Sequence, residues 1–140
     1  MQVKRSHLIC GLAAIIVTAC ADPLVRDDAE FEAGDQAPVV VALIDSARLD
    51  VERGALDQAS DSLERALRIA PTDATIWSRL ARLRLRQEAY QQAVQFALRS
   101  NSMSRDTVLR RYNFGILEKA YRGMGDTQRA DDARHQARQE

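Results

Sequence analysis

The chain has 140 residues, of which 20 are basic and 20 are acidic, so its formal net charge at neutral pH is zero. A chain this close to neutral lacks the strongly basic surface of a general nucleic-acid-binding protein. It contains two cysteines and two histidines, which leaves few candidates for metal ligands or nucleophiles.

The first 19 residues have the pattern of a secretory signal peptide. Lys4 and Arg5 precede an apolar run over residues 8–17, and the small residues Thr18 and Ala19 follow it. A stable transmembrane helix needs roughly 20 apolar residues, about twice the length of this run. We therefore predict that residues 1–19 are a cleaved signal peptide and not a permanent transmembrane anchor.

The end of this segment, Val17-Thr18-Ala19-Cys20, resembles a bacterial lipobox. The resemblance implies that Cys20 becomes the lipidated first residue, with palmitate among its acyl chains. Several acyl chains on one residue hold a protein on a membrane where a single chain does not. Ala21 stands where aspartate favours retention in the inner membrane, which implies the outer membrane, facing the periplasm. The alternative is an ordinary signal peptide cleaved near Ala19 or Ala21, with Cys20 incidental.

Loss of residues 1–19 changes the inventory of charged and reactive groups. Removing Lys4 and Arg5 leaves 20 − 2 = 18 basic residues against 20 acidic ones, a balance of −2. Cys20 would be the remaining cysteine, which excludes a disulfide, a Cys–His nucleophile and a cysteine-rich zinc site. His135 would be the remaining histidine, in a polar segment. We expect no catalytic residue, no metal, no cofactor, no small-molecule substrate and no nucleic-acid partner.

Residues 20–36 are predicted to be a flexible acidic tether. Its carboxylates, set against a single Arg26, are Asp22, Asp27, Asp28, Glu30, Glu32 and Asp35. A segment of this composition cannot bury enough apolar surface to order itself. Fifteen or so flexible residues span about 20 Å on average and about 50 Å when taut.

From residue 37 onward the pattern becomes helical and repeats itself. Apolar residues such as Leu56, Ala59 and Leu63 fall on one face of a 3.6-residue period. The expected breaks between helices are at Gly54, Pro71, Glu88, residues 101–106 and residues 123–126. The pattern around Ala59 recurs 34 residues later around Ala93, and a third copy follows at a spacing of 37.

This pattern resembles the tetratricopeptide repeat, a 34-residue pair of antiparallel helices. The matching positions are Gly54, Ala59, Leu63, Ala66 and Pro71, then Trp77, Leu80, Ala81, Tyr90 and Ala93, then Phe114, Leu117, Tyr121, Gly125 and Ala130. The resemblance implies an all-α domain over residues 37–140, with repeats at about 40–73, 74–107 and 111–140, forming a short right-handed α-solenoid. The departures are Arg84 for an aromatic residue, Glu88 for the turn glycine and Glu118 for a small residue. The polar last helix would form a solubilising cap.

In this family the first helix of each pair lines a concave groove. The resemblance implies a partner-binding groove made by Ile44, Arg48, Val51, Ser78, Arg82, Leu85, Arg86, Lys119 and Arg122, with Tyr112 at its rim. Residues 74–111 hold eight arginines against two carboxylates, a balance of +6. Because guanidinium groups pair bidentately with carboxylates, we expect an acidic peptide ligand. Arginines that only keep the helix faces solvated are the alternative.

Two features point to a particular group within this family. They are the arginine-rich run at residues 76–87 and the longer break after Asn101. They are similar to the small tetratricopeptide outer-membrane lipoproteins that activate class A penicillin-binding proteins, the enzymes that polymerise and crosslink peptidoglycan. This implies a membrane-tethered protein–protein interaction module that activates such a synthase and is not itself an enzyme. The alternatives are an adaptor for an envelope protease, hydrolase or assembly complex, an enzyme acting on cell wall or lipid, self-association through the Trp77 helix, and a purely structural lipoprotein with no regulated partner.

Overall fold

The computed structural model describes residues 36–140. The predicted signal peptide, Cys20 and the tether up to residue 35 lie outside the described residues. Within residues 36–140 there is no strand, and no helix is long and apolar enough to cross a membrane. The helices are α1 (Gln36–Glu52), α2 (Leu56–Ile69), α3 (Ala74–Arg86), α4 (Tyr90–Met103), α5 (Thr107–Gly123) and α6 (Thr127–Gln139). They form three antiparallel pairs stacked as a short right-handed solenoid, which confirms the predicted all-α fold.

The break between the second and third pairs is shorter than the sequence predicted. Asn101 and Ser102 continue α4, which ends at Met103. Helix α5 then begins at Thr107, four residues before the expected start of the third repeat. The cause is Asp106, whose carboxylate accepts a hydrogen bond from the backbone N–H of Val108 at 2.8 Å and caps the helix.

Aspartates cap two other helices. Asp73 accepts from the backbone N–H of Thr75 at 2.7 Å at the start of α3. Asp126 accepts from the backbone N–H of Arg129 at 3.0 Å and from the Nε–H of the same residue at 2.6 Å at the start of α6. These bonds stabilise the charged carboxylate and lower the pKa of Asp126. The caps set the first residue of each helix.

The turn inside each pair has the same backbone geometry. Gly54, Glu88 and Gly125 adopt positive φ angles of 79°, 58° and 78°. In each turn the following amide donates to a carbonyl five residues earlier, as Ala89 N–H does to Arg84 O at 2.9 Å. Glu88 therefore holds a left-handed conformation that its side chain disfavours, at the position where the other two pairs have glycine.

The first and second pairs meet through large aliphatic side chains. We call this contact the first junction. Its buried residues are Val40, Leu43, Ala47, Ala59, Leu63, Ala66, Ile76, Leu80 and Leu83. Trp77 lies beside it, 5.5 Å from the ring of Phe96, and its Nε1–H donates to Pro71 O at 2.9 Å. Burial of these side chains is the main source of stability here.

The second and third pairs meet through small side chains and a hydrogen-bond network, which we call the second junction. Its buried apolar residues are Ala81, Ala93, Ala97, Ile116, Leu117, Ala120 and Ala133. Asn113 is fully buried and lies at the centre of the network. Its Oδ1 accepts from Ser78 Oγ at 2.6 Å, and its Nδ2 donates to Ser100 Oγ and Asn101 Oδ1, both at 2.8 Å. The network joins α3, α4 and α5.

Ion pairs explain two of the departures from the repeat pattern. Arg84 Nη2 lies 2.9 Å from Glu64 Oε1, so the guanidinium reaches the neighbouring pair. Glu118 Oε1 lies 2.9 Å from Arg134 Nε, which links α5 to α6. A charged residue is accommodated at each position because its charged end reaches an opposite charge.

Candidate functional site

A shallow cleft opens between the first helices of the first and second pairs, α1 and α3. Its apolar part is lined by Ile44, Ala47, Val51, Leu63 and Leu83, and its remaining lining residues are Arg48, Arg79, Arg82 and Arg86. We call it the arginine cleft. Its volume is about 60 Å³, whereas small-molecule sites typically have roughly 300–1,000 Å³. The cleft has room for the end of a side chain and not for a cofactor.

The pattern of α3 places the arginines on the exposed side of that helix. Arg79, Arg82 and Arg86 follow one another at spacings of three and four residues, so they share one helix face. Ile76 and Leu80 are buried on another face, in the first junction. Packing of the buried face therefore fixes which way the arginines point.

Three of the four arginines at the cleft have no ion-pair partner among residues 36–140. Arg48 Nη1 lies 2.7 Å from Glu52 Oε1, one turn along α1. Within residues 36–140, no carboxylate oxygen lies within 4.0 Å of the guanidinium groups of Arg79, Arg82 or Arg86. Guanidinium groups beside an apolar floor can bind carboxylates and an apolar side chain together.

The structure brings together Ile44, Arg48, Val51, Arg82 and Arg86 from the predicted groove. Ser78 lies elsewhere: only 2% of it is exposed, and its hydroxyl donates to Asn113. Its side chain has no surface to offer a ligand, so we leave it out of the proposed binding surface.

The remaining predicted groove residues lie outside the arginine cleft. Leu85 is half-buried and packs against the second junction. Tyr112 and Lys119 are exposed on α5. Arg122 is also on α5, and its Nη2 lies 3.3 Å from Glu118 Oε1 and 3.7 Å from Asp131 Oδ1. These two carboxylates reduce the charge that Arg122 can offer to a ligand.

The sequence analysis missed Arg79 as a lining residue of the cleft. The carried-over groove positions selected its neighbour Ser78 instead. The signal was present in the spacing, because Arg79, Arg82 and Arg86 recur at the intervals of one helix face. His135 is exposed on α6, and residues 36–140 contain no group of three or more histidine, cysteine or acidic side chains placed to hold a metal ion.

Two solved structures are similar to this chain. One is the globular C-terminal domain of P. aeruginosa LpoP, with 35% sequence identity and a TM-score of 0.69, covering 71% of this chain and 94% of that domain. The other is the N-terminal domain of stress-induced protein-1 (STI-1) from C. elegans, with 16% identity and a TM-score of 0.70, covering 75% of this chain and 86% of that one. The second likeness shows the fold alone. No curated protein matches the chain significantly.

A comparison with protein-family models identifies the repeat from the sequence. The tetratricopeptide-repeat model matches residues 41–106, which cover most of the first two helix pairs. The likeness to the LpoP domain extends the match across nearly the whole of that domain. The chain therefore belongs to the tetratricopeptide-repeat family, in the group that includes the C-terminal domain of P. aeruginosa LpoP.

Proposed function

We propose that this protein is a membrane-tethered interaction module that activates a class A penicillin-binding protein in the bacterial cell envelope. The tetratricopeptide repeat is a scaffold for binding proteins. The observation that carries the proposal is the 35% identity to the LpoP domain over 94% of its length. The similarity of residues 76–87 to the lipoprotein activators supports the same partner.

The proposed binding surface is the arginine cleft, extended along α5 by Tyr112 and Lys119. A segment of the synthase would place carboxylates on Arg79, Arg82 and Arg86 and an apolar side chain over Ile44. Such binding activates an enzyme if the segment is accessible only in the active conformation, because the module then stabilises that state. The module supplies binding energy and no catalytic group.

Charge reversal in the cleft tests the surface. The double variant Arg79→Glu/Arg82→Glu should weaken binding to the cognate synthase at least tenfold and remove its stimulation of glycan polymerisation, because guanidinium–carboxylate pairs become repulsive. Binding is measured by titration of the purified full chain into the synthase, and polymerisation by consumption of the lipid-linked precursor.

The chain offers a matched control for this variant. Arg65→Glu/Arg68→Glu makes the same change of charge at the same spacing on exposed positions of α2. It should leave binding within about twofold of the unmodified chain, since exposed charges far from a contact contribute little. Equal loss in both variants would show a general charge effect and contradict the cleft. No binding and no stimulation by the unmodified chain would remove the synthase proposal, and partner identification by crosslinking in cells would then test the adaptor alternative.

The proposed anchor has its own test. Cys20→Ala should move the protein from the outer-membrane fraction to the soluble fraction, because the lipid is attached through that thiol. The variant should bind the synthase in solution with unchanged affinity and fail to support activation in the cell. Full function of the unanchored form would contradict the tether.

A further inference from the structure

The arginine cleft combines positive charge with an apolar floor. Among residues 36–140, no carboxylate oxygen lies within 4.0 Å of the guanidinium groups of Arg79, Arg82 or Arg86. Ile44 and Val51 belong to the floor beside them. The three arginines span seven positions on one face of α3, which is about 10 Å along the helix. A segment that fits this surface carries carboxylates over a similar length and an apolar side chain next to them.

The chain itself contains a segment with these properties, at residues 27–32. Its carboxylates are Asp27, Asp28, Glu30 and Glu32. Phe31 is its one large apolar residue. The segment lies outside the described residues, and its last residue is four positions before Gln36, where α1 begins. Its charge is therefore opposite to that of the cleft, and it is joined to the cleft's own helix.

The connection is long enough to bring the segment to the cleft. Ile44 is eight residues after Gln36 in α1, a distance of about 12 Å along the helix. The five residues from Phe31 to Gln36 span up to about 17 Å when extended. A chain that turns back at the start of α1 therefore brings Phe31 to Ile44. Residues 27–30 then extend for about 10 Å along α1, which matches the length of the arginine row on α3.

Other exposed arginines are less suited to this segment. Arg65 and Arg68 on α2 follow Asp61 and Glu64 by four residues, so each has a carboxylate on its own helix face. These acidic neighbours would repel an acidic segment. The row of Arg79, Arg82 and Arg86 has no such neighbour four residues before it, because residues 75, 78 and 82 are threonine, serine and arginine.

We propose that residues 27–32 occupy the arginine cleft of their own chain and compete there with the acidic segment of the partner. Phe31 covers the apolar floor, and the carboxylates face the arginines of α3. A few residues join the segment to the cleft, so its effective concentration there is on the order of millimolar. Weak binding is then enough to reduce the fraction of chains with an open cleft. This regulation rests on the proposed function, because it acts on the same binding surface.

A synthetic peptide of residues 23–34 tests the contact in the absence of the synthase. It is titrated into the isotopically labelled full chain and followed by NMR. The receptor is a variant with Asp27→Asn, Asp28→Asn, Glu30→Gln and Glu32→Gln, which we call the neutralised chain. The peptide should shift amide signals of α1 and α3 at the cleft. It should bind the neutralised chain about fivefold more tightly than the unmodified chain, whose own segment competes.

A second set of carboxylates provides the matched receptor. Its substitutions make the same change of net charge at exposed positions of α2 and α6, and they are Asp57→Asn, Asp61→Asn, Asp131→Asn and Asp132→Asn. This variant should bind the peptide as weakly as the unmodified chain does, because its own segment is intact. The NMR spectra also show that each variant is folded.

Substitutions on both sides of the contact locate it. Arg79→Glu/Arg82→Glu in the neutralised chain should lower peptide affinity at least about fivefold, because attraction becomes repulsion. Arg65→Glu/Arg68→Glu should leave the affinity nearly unchanged. In the peptide, Phe31→Ser should weaken binding at least about threefold, because the apolar floor loses its occupant. Leu24→Ser removes an apolar side chain outside the segment and should have no effect.

Several results would overturn the contact. They are the absence of peptide-induced shifts in α1 and α3, equal peptide affinity for the neutralised and unmodified chains, and equal loss in both arginine variants. A dimer of the unmodified chain in sedimentation that the neutralised chain does not form would place the segment in the cleft of a second copy instead. The peptide titration contains no synthase, so a chain that binds the peptide as expected but fails to bind the synthase would remove the proposed function alone.

Discussion

The first junction is made mostly of valine, leucine and isoleucine, with three alanines, whereas the second is made mostly of alanine around a buried asparagine. Each junction holds one helix pair on the next. Apolar contact is non-directional and scales with the area buried, so the first junction tolerates any side chains that fill the space. Hydrogen bonds depend on distance and angle, so the second junction fixes its own register.

The largest expected effect comes from replacing one buried residue at each junction with a residue of similar size. Asn113→Leu should lower the free energy of unfolding by about 3 kcal/mol, because Ser78 and Asn101 lose buried partners. Leu80→Met should cost less than about 1.5 kcal/mol, because volume and apolar character are nearly kept. Urea denaturation of both variants measures the difference.

Adding Ser78→Ala to Asn113→Leu sharpens the same comparison. Removal of the stranded hydroxyl should recover about 1 kcal/mol, because the buried donor no longer lacks an acceptor. If Asn113→Leu is as mild as Leu80→Met, the network does not determine the second junction and the contrast between the junctions fails.

A smaller effect is expected where α5 ends against α4. A Cβ on Gly123 would collide with the ring of Tyr90, so the ring must move. Gly123→Ala should therefore lower the free energy of unfolding by about 1–2 kcal/mol, as overpacking does elsewhere.

Gly115 lies in the same helix with no atom within 4 Å of an added Cβ. Gly115→Ala should stabilise by about 0.5–1 kcal/mol through helix propensity. The same sign for both would show that Tyr90 adapts freely, and that the second junction is less tightly packed than described.

The smallest effect on stability is expected at the turn inside the second pair. That pair takes part in both junctions. Glu88→Gly should stabilise by at most about 1 kcal/mol, because glycine adopts the left-handed conformation without strain but is more flexible when unfolded. Gly54→Ala, at the equivalent turn, should destabilise by about 1 kcal/mol. Thermal unfolding checks both. Destabilisation by Glu88→Gly would show a favourable contact of the glutamate that outweighs the strain.

The sequence was enough to predict the all-α fold and the three helix pairs, because repeat period and apolar spacing are local properties. Five of the nine residues that line the arginine cleft are among the groove positions that the family resemblance implies. The sequence did not predict the end of α4, since Asn101 and Ser102 resemble a break until Asn113 is seen to bond Asn101. Ser78 was placed in the groove for the same reason: its partner is 35 residues away. Contacts between distant residues that do not follow the repeat cannot be predicted from its period.

Trp77 also determines how the molecule can be observed. It is the chain's one tryptophan, and its indole lies between the connection at Pro71 and the ring of Phe96. Its emission therefore reports on the environment of the first junction, while circular dichroism averages over all six described helices. If α5 and α6 unfold first, the dichroism signal will fall before the fluorescence changes. One unmodified protein can thus show whether the three pairs unfold together or in succession.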